Sequence, residues 1–243
     1  MSSEEPWELI SALPSIPFVQ TLASDIQGLF AADMSLIHNV FIRGLNSIWR
    51  NAPLVKPNDV GAFAGYSLTC MNAIQQHHHG EETLIFPYLQ TKLDMAHNIE
   101  QHEGFHAGMD AFEEYMKKVQ TNEETFDAEK TRELLKAFAD PLVQHLHEEI
   151  STLSPGRMKA FDDDQEGVKN MYQQLEEHIK TQPGKLTVFP FVMSHHDPKL
   201  APNWPPAPAP ILWFSRNIAP WRHRSYWKFS PFTSHGVPQV YTA

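Results

Sequence analysis

The chain has 243 residues, a formal net charge of −10 and a single cysteine, Cys70. A single cysteine excludes an internal disulfide framework and fits a reducing compartment. The acidic balance argues against nucleic acid as a partner, and no stretch approaches the roughly 18 to 20 apolar residues that a membrane span needs. Because the acidic N-terminus also lacks the apolar run of a secretory signal, we expect a cytoplasmic protein with no membrane partner.

Charge and composition divide the chain into two regions. Residues 1–180 hold 13 basic and 28 acidic side chains, whereas residues 181–243 hold 6 basic and 1 acidic. Residues 183–243 also carry 11 of the 19 prolines and 4 of the 6 tryptophans. The prolines predict extended chain close to polyproline II. The aromatic residues predict that this part packs on the rest of the protein instead of being disordered. They are Trp204, Trp213, Trp221, Trp227 and Phe229.

Apolar residues recur at spacings of three and four along most of residues 17–181, which predicts amphipathic helices. Pro141 falls inside the fourth helix and predicts a kink or a fresh helix start there. Residues 1–16 are expected to form a loosely ordered arm. The predicted helices span residues 17–51, 60–89, 94–120, 125–153 and 162–181. We therefore expect an all-α protein. Its domains are a four-helix bundle over residues 17–155 and a region of one further helix and a mostly irregular extension over residues 156–243.

Ligand-type side chains occur in the core-facing seam of each of the first four predicted helices. Residues four apart on a helix lie on one face, and a charge in a core is costly unless it is paired or bound to a metal. The seven side chains are five imidazoles and two carboxylates, which suffice for two metal ions with two bridging carboxylates. They are His38, His77, Glu81, His102, His106, His145 and Glu149.

Simpler interpretations apply to each of these residues alone. A single histidine in a helix seam is usually a hydrogen-bonded core residue, and a single His–Glu pair is usually a surface contact. Three pairs at a spacing of four, two His–Glu and one His–His, together with His38 favour a metal site. His78 lies about 100° round the helix from His77, which predicts at most a supporting role, and His79 lies about 200° round it, which predicts a solvent-facing ring. The other histidines are interpreted as surface or tail residues.

Four segments of the chain resemble motifs of the hemerythrin family, in particular its HHE cation-binding branch in a fungal form. They are residues 38–46, His77-x-x-x-Glu81-Glu82-x-x-x-Phe86-Pro87, His102-x-x-x-His106 and His145-x-x-x-Glu149. The resemblance implies an up-down-up-down four-helix bundle that holds a non-haem di-iron centre. Carried over by position, His102, His106 and His145 would bind one iron, and His38 and His77 the other. Glu81 and Glu149 would bridge the two ions.

One motif departs from the oxygen-carrying members of that family. Three residues separate His145 from Glu149, whereas those proteins have four residues between a histidine and an aspartate. This departure argues against a pure oxygen carrier.

The resemblance and the donor set predict a protein with two iron ions, with an oxo or hydroxo bridge as an option, that binds and reacts with O2, NO or peroxide. The alternative is an O2-dependent oxidase or oxygenase of a small organic substrate, with a pocket that the extension helps to build. A third interpretation is a structural Zn or Mn site, because these donors also suit those metals. The sequence leaves open whether the protein is an enzyme and what its oligomeric state is.

Overall fold

The structure is a computed structural model that describes residues 5–11 and 26–242, the side chains of residues 26–29 excepted. The described part consists of helices, turns and one isolated bridge between Phe232 and Pro238, which confirms the predicted all-α class. The predicted helix start at residue 17 and most of the arm over residues 1–16 lie outside the described residues. Within residues 5–11 and 26–242, no helix combines the length and the apolar character that crossing a bilayer requires.

Four long helical segments form an up-down-up-down bundle. Helices α1 and α4 each contact α2 and α5, so the four segments enclose one core, as predicted. A π-helical turn over Glu81–Ile85 joins α2 to α3 and makes them one continuous rod. The helices of the bundle are α1 (Ile26–Asn51), α2 (Val60–Gly80), α3 (Phe86–Leu89), α4 (Ala96–Gln120) and α5 (Ala128–Thr152).

The apolar seams of these helices meet in the core, where burial of each large side chain contributes about 1.5–3 kcal/mol. Helix α5 begins after Asp127, whose side chain accepts hydrogen bonds from the backbone N–H groups of Glu129 and Lys130 at 2.8 and 3.0 Å, which satisfies two of the free donors at the helix start. It then runs without interruption through Pro141, so the alternative of a fresh helix start there is wrong. Side chains with at most 1% exposure include Phe41, Leu45, Phe63, Ile74, Phe105, Met109, Phe112, Leu135, Phe138 and Leu142.

The region after the bundle is more helical than its composition predicts. The predicted helix over residues 162–181 is present as α7, and Asp164 accepts a hydrogen bond from the backbone N–H of Gly167 at 3.1 Å. Helices α8 and α9 were not predicted. Their prolines, Pro190 and Pro210, lie in first turns, where proline is tolerated. The helices are α6 (Pro155–Met158), α7 (Gln165–Thr181), α8 (Val188–His195) and α9 (Ala209–Asn217).

The extension packs on the bundle, as expected, but not with all its aromatic residues. Trp204, Trp227 and Phe229 are buried. Trp213 and Trp221 are 60% and 78% exposed, so the prediction that these two pack is wrong.

Buried polar contacts also join the extension to the bundle. The carbonyl of Phe229 accepts a hydrogen bond from Asn51 on α1 at 3.1 Å. His195 and His196, interpreted as tail residues, are buried as well. The ring of His195 lies against Tyr66, whose hydroxyl is 2.6 Å from the histidine Nε2. A solvent-facing position for these two histidines is therefore wrong.

The described part of the N-terminal arm is also packed. Trp7 and Ile10 are at most 9% exposed. The indole N–H of Trp7 donates to Asp140 at 3.0 Å, and the side chain of Asn39 exchanges two hydrogen bonds with the backbone of Ile10 at 2.8 and 3.0 Å. Residues 5–11 therefore do not form the loose arm that the sequence predicts.

Candidate metal centre

The structure brings six of the seven predicted ligand residues together in the bundle core and adds a further histidine. Among the described residues, two groups of side chains have donor atoms within 4.8 Å of one another. Glu81 belongs to both groups, so they form one continuous cluster. The first group is His78, Glu81, His102 and His145, and the second is His38, His77 and Glu81.

Two carboxylates lie between the imidazoles of the two groups. Glu81 Oε1 is 2.9 Å from His77 Nε2, and Glu81 Oε2 is 3.7 Å from His102 Nε2. Glu149 Oε2 is 3.4 Å from His38 Nε2 and 3.7 Å from His145 Nε2. Each carboxylate thus faces one imidazole of each group, which is the placement that bridging carboxylates need.

The backbone of α5 determines the orientation of His38. Its Nδ1–H donates to the carbonyl of Leu146 at 2.8 Å, so the neutral ring carries its lone pair on Nε2. That atom lies 3.2 Å from His77 Nε2. The outer hydrogen bond therefore turns a free nitrogen towards the cluster, as is usual for histidines that bind metals.

Outer partners orient His102 and His145 in the same way. His102 Nδ1 is 2.7 Å from Glu82 Oε1, and His145 Nδ1 is 3.1 Å from Gln101 Oε1. The amide nitrogen of Gln101 donates to Glu148 at 2.6 Å, which leaves its oxygen to accept from His145. Both histidines therefore donate outwards from Nδ1. Their Nε2 lone pairs face each other at 3.0 Å, an arrangement that a cation between them would stabilise.

Several buried polar atoms of the cluster have no partner in hydrogen-bonding geometry among the described residues. They are both carboxylate oxygens of Glu81, both of Glu149 and both ring nitrogens of His78. An unsatisfied buried polar atom costs about 1–3 kcal/mol, and each such atom in a native protein needs an explanation. All six are oxygen or nitrogen atoms that can coordinate divalent transition metals, so the residues present fit a pair of metal ions.

Burial determines the protonation of the cluster when no cation is bound. It lowers the pKa of His77 to about 4 and that of His145 to about 2, so these rings are neutral, which is the state that binds metal. Burial raises the pKa of both Glu81 and Glu149, and the Glu81 carboxylate adds to the rise for Glu149. A cation would favour the ionised form of both carboxylates instead.

The cluster differs from the expected set at one position. The side chain of His106 is 42% exposed, and its Nε2 lies 3.6 Å from Glu82 Oε1. His106 belongs to neither of the two groups. His78, expected to have at most a supporting role, is 1% exposed, and its ring centroid is 4.4 Å from that of His102.

The burial of helix α2 on more than one side accounts for the position of His78. Helix α2 contacts both α1 and α4, and the ring centroid of His77 lies 5.2 Å from that of His38 on α1, whereas the ring of His78 faces His102 on α4. A helical wheel with a single inward seam therefore assigns only one of these two neighbouring histidines to the core. The signal that the sequence offered was the run of three histidines before Gly80, from His77 to His79.

Aromatic rings enclose the cluster and limit the access of water. The ring centroid of Phe41 is 5.1 Å from that of His77, that of Phe105 is 5.1 Å from His78, and that of Phe86 is 5.2 Å from His102. All three phenylalanines are 1% exposed. His77, with 15% of its side chain exposed, is the most exposed residue of the two groups and marks the side nearest to solvent.

The extension contributes to the wall beside His77. Trp204 donates its indole N–H to Asp33 Oδ1 on α1 at 2.5 Å. Burial raises the pKa of Asp33, an effect that the Trp204 hydrogen bond and the charge of His77 partly offset. The Tyr172 hydroxyl on α7 is buried and has no hydrogen-bond partner within residues 5–11 and 26–242. The sequence patterns did not single out Asp33 or Tyr172.

Comparison with known proteins adds three findings. The family model of the hemerythrin HHE cation binding domain matches residues 31–156. The chain is 29% identical over 222 residues to the dimeric xanthone biosynthesis cluster protein R11 of Cryptosporiopsis sp. (strain 8999), an alignment that covers 86% of this chain and 80% of that protein. No solved structure matches the chain.

Proposed function

Because the chain belongs to the hemerythrin HHE cation-binding family, we propose that its buried His–Glu cluster binds two iron ions and that the protein reacts there with O2, NO or peroxide. The observation that carries the proposal is the pair of carboxylates, Glu81 and Glu149. Each faces one imidazole of each group, and their oxygens lack any other partner among the described residues.

The proposed ligands divide between two positions. His78, His102 and His145 would hold one ion, His38 and His77 the other, with both carboxylates between them. Imidazole and carboxylate donors suit iron, and they also suit Mn and Zn. Five neutral rings and two carboxylates leave two divalent ions with a net positive charge, which favours the binding of an electron-rich small ligand. When bound, Fe(II) would supply the electrons for the reduction of O2.

The chain's own residues have three tasks in this proposal. Glu82, Gln101 and the Leu146 carbonyl hold the Nδ1–H groups of three histidines, so that their Nε2 atoms need no rearrangement when metal binds. The phenylalanines at the rings keep bulk water away from the cluster. The partly exposed edge of His77 is the side from which a diatomic ligand would enter.

An O2-dependent oxidase or oxygenase is the second candidate, and one observation favours it. Trp204 of the extension is hydrogen-bonded to Asp33 on α1, and Tyr172 on α7 has a hydroxyl without a hydrogen-bond partner among the described residues. These side chains lie on the side of His77, the most exposed residue of the two groups. Asp33 is close enough to both His77 and Tyr172 to shift their pKa values. A hydroxyl without a partner and a carboxylate suit a substrate that both donates and accepts hydrogen bonds. The name of the Cryptosporiopsis relative, which refers to xanthone biosynthesis, suggests hydroxylated aromatic compounds as the class to test.

Metal analysis and optical spectroscopy test the main proposal. Protein reconstituted anaerobically with Fe(II) should hold about two iron ions per chain, as in other bundles with paired metals. On exposure to air it should gain absorption in the near-ultraviolet and visible, whereas a zinc protein would stay colourless. One ion or none per chain, or no spectral change with O2, would contradict the proposal. Faster O2 consumption with a hydroxylated aromatic added would favour the second candidate.

A further inference from the structure

Helix α9 and the turn after it expose five large apolar side chains within eleven residues, here called the aromatic patch. Monomeric soluble proteins rarely expose contiguous apolar areas above a few hundred Å², and larger ones mark interaction sites. The patch consists of Ile211 (43% exposed), Trp213 (60%), Phe214 (40%), Ile218 (47%) and Trp221 (78%). Elsewhere in the extension, Leu186, Leu200, Val237 and Val240 are also exposed, but none of them is aromatic.

The polarity of α9 is the reverse of that of an ordinary surface helix, which turns its apolar side to the core. Its buried residue is Ser215, which is 1% exposed and donates its hydroxyl to the carbonyl of Ile211 at 2.7 Å. Trp213 and Phe214 lie about 160° and 100° round the helix from Ser215, and both are exposed, as is Ile218 directly after the helix. Because α9 contacts α8 and the turn at Ala219–Trp221, the fold itself holds the patch outwards.

The segment that carries the patch has basic residues but no acidic ones. Residues 201–243 contain no aspartate or glutamate. Arg222 and Arg224 are exposed, and neither makes an ion pair within the part of the chain that the structure describes. A surface that covers the patch must therefore be apolar and carry negative charge at its edge.

A partly open cavity of about 290 Å³ lies next to the patch. Pro220, directly before Trp221, and Arg224, three residues after it, line the cavity together with Lys228 and Thr233. Lys228 is paired with Asp59, so Arg224 is the cation left to meet an anionic group there.

A second copy of the chain does not complement this surface. Symmetric pairing of two aromatic patches would bring the arginines of both copies together, and like charges across an interface are unfavourable. Docking of the patch on the acidic body of another copy would need exposed apolar side chains there. Outside the extension, those that the described residues offer are scattered, namely Leu9, Leu54 and Ile179.

We propose that the aromatic patch docks the protein on the surface of an anionic lipid bilayer. Trp213 and Trp221 would lie at the level of the headgroups, where tryptophan is enriched. Helix α9 would lie in the plane of the interface with its apolar side down, and Arg222 and Arg224 would contact lipid phosphates and carboxylates. The expectation of no membrane partner rested on the lack of a predicted membrane-spanning segment and of a predicted secretory signal. Docking on the surface of a bilayer needs neither.

Co-sedimentation of the full-length, metal-loaded protein with vesicles tests the proposal. Vesicles of phosphatidylcholine with about 30% phosphatidylserine should carry down at least about tenfold more protein than vesicles of phosphatidylcholine alone. The difference should shrink when sodium chloride is raised from about 0.05 M to about 0.5 M, because salt screens charges at the surface.

Two double variants separate the apolar and the electrostatic contributions to vesicle binding. Trp213→Ala with Trp221→Ala should lose about tenfold or more of the binding to anionic vesicles. Arg222→Glu with Arg224→Glu should lose the preference for phosphatidylserine. All four side chains are exposed, so circular dichroism and thermal unfolding should match the wild type. The matched controls lie elsewhere on the surface and should bind like the wild type: Leu54→Ala with Ile179→Ala, and Lys169→Glu with Lys180→Glu.

Three results would overturn the proposal. They are no sedimentation of wild-type protein with anionic vesicles, unchanged binding of both patch variants, and a wild-type dimer in light scattering that the patch variants convert to monomer. The last result would identify the patch as an interface between copies. Iron content, measured in parallel, should be the same in all variants, so failure here is distinguishable from failure of the metal proposal.

Discussion

Trp204 donates its indole N–H to the carboxylate of Asp33 at 2.5 Å. The tryptophan belongs to the extension, and the aspartate lies on α1, five residues before His38. This hydrogen bond therefore connects the extension directly to the wall of the candidate metal centre, where burial lowers the pKa of His77 and Asp33 is close enough to that ring to offset part of the fall.

The first prediction tests this hydrogen bond. Trp204→Phe keeps an aromatic ring but removes the N–H, which leaves the Asp33 carboxylate without this donor. We expect a loss of about 1–3 kcal/mol in the free energy of unfolding, the usual cost of leaving a buried polar group unsatisfied, measured by urea denaturation. The matched control is Trp221→Phe at a position 78% exposed, which should change stability by less than about 0.5 kcal/mol. Equal changes in unfolding free energy for Trp204→Phe and Trp221→Phe would show that the Trp204–Asp33 hydrogen bond does not stabilise the fold.

The second prediction distinguishes His78 from His106 as a ligand. His78→Ala should reduce the iron content from about two ions per chain to about one, because it removes a donor from one metal position of the bundle. His106→Ala should retain both ions, since its ring is 42% exposed and outside the two groups. Mass spectrometry of metal content measures both, with the exposed His79→Ala as the control. Loss of iron in His106→Ala alone would restore the assignment made from helical spacing.

The third prediction concerns the opposite effects of a bridging carboxylate on the metal-free and metal-bound protein. Burial raises the pKa of Glu81, so a neutral amide there avoids the cost of a buried charge. Metal-free Glu81→Gln should therefore be at least as stable as the metal-free wild type. Metal at a hundredfold excess over its dissociation constant stabilises a protein by about 2.7 kcal/mol, and the variant should lose most of this gain.

Thermal unfolding with a chelator and with added metal measures the two effects separately. Glu133→Gln, at an exposed position of α5, should behave like the wild type in both conditions. A variant that is still stabilised by metal to the full extent would argue that Glu81 is not a ligand.

The fourth prediction is a pH dependence that arises far from the metal ligands. His195 accepts a hydrogen bond from the Tyr66 hydroxyl at 2.6 Å and donates one to the Phe191 carbonyl at 2.7 Å, and burial lowers its pKa to about 3. The unfolded chain has a pKa near 6.5 at this histidine. Between pH 3 and pH 6.5 this histidine is therefore protonated in the unfolded state but neutral in the folded state. The stability that the neutral ring contributes is complete above pH 6.5 and is lost as the pH falls towards 3.

A glutamine at this position removes the titration. In His195→Gln, the slope of unfolding free energy against pH between pH 4 and 6 should fall by about 1.4 kcal/mol per pH unit, the value for one proton. Urea denaturation of the metal-free protein at several pH values measures the slope. His235→Gln, at an exposed position, is the control and should keep the wild-type slope. An unchanged slope in His195→Gln would mean that the ring is protonated in the folded state.

Local pattern alone was sufficient for the helices of the bundle and for the inward faces of most of the proposed ligands. Spacings of three and four predicted the bundle helices and the inward faces of His38, His102 and His145, because a helix repeats the same geometry at every turn. The same logic failed at His78 and His106. Helix α2 packs against both α1 and α4, so two neighbouring histidines face the core, whereas a wheel with a single buried seam predicts only one of them.

Only the tertiary structure decided the role of the extension. Composition treats its four tryptophans alike, yet Trp204 and Trp227 are buried whereas Trp213 and Trp221 face solvent. Helical period is a property of neighbouring residues, so the sequence by itself could determine the bundle and the inward faces of His38, His102 and His145. Which tryptophan meets Asp33, and which is left at the surface, depends on contacts between residues far apart in the chain, and those exist only once the extension has packed against the helices.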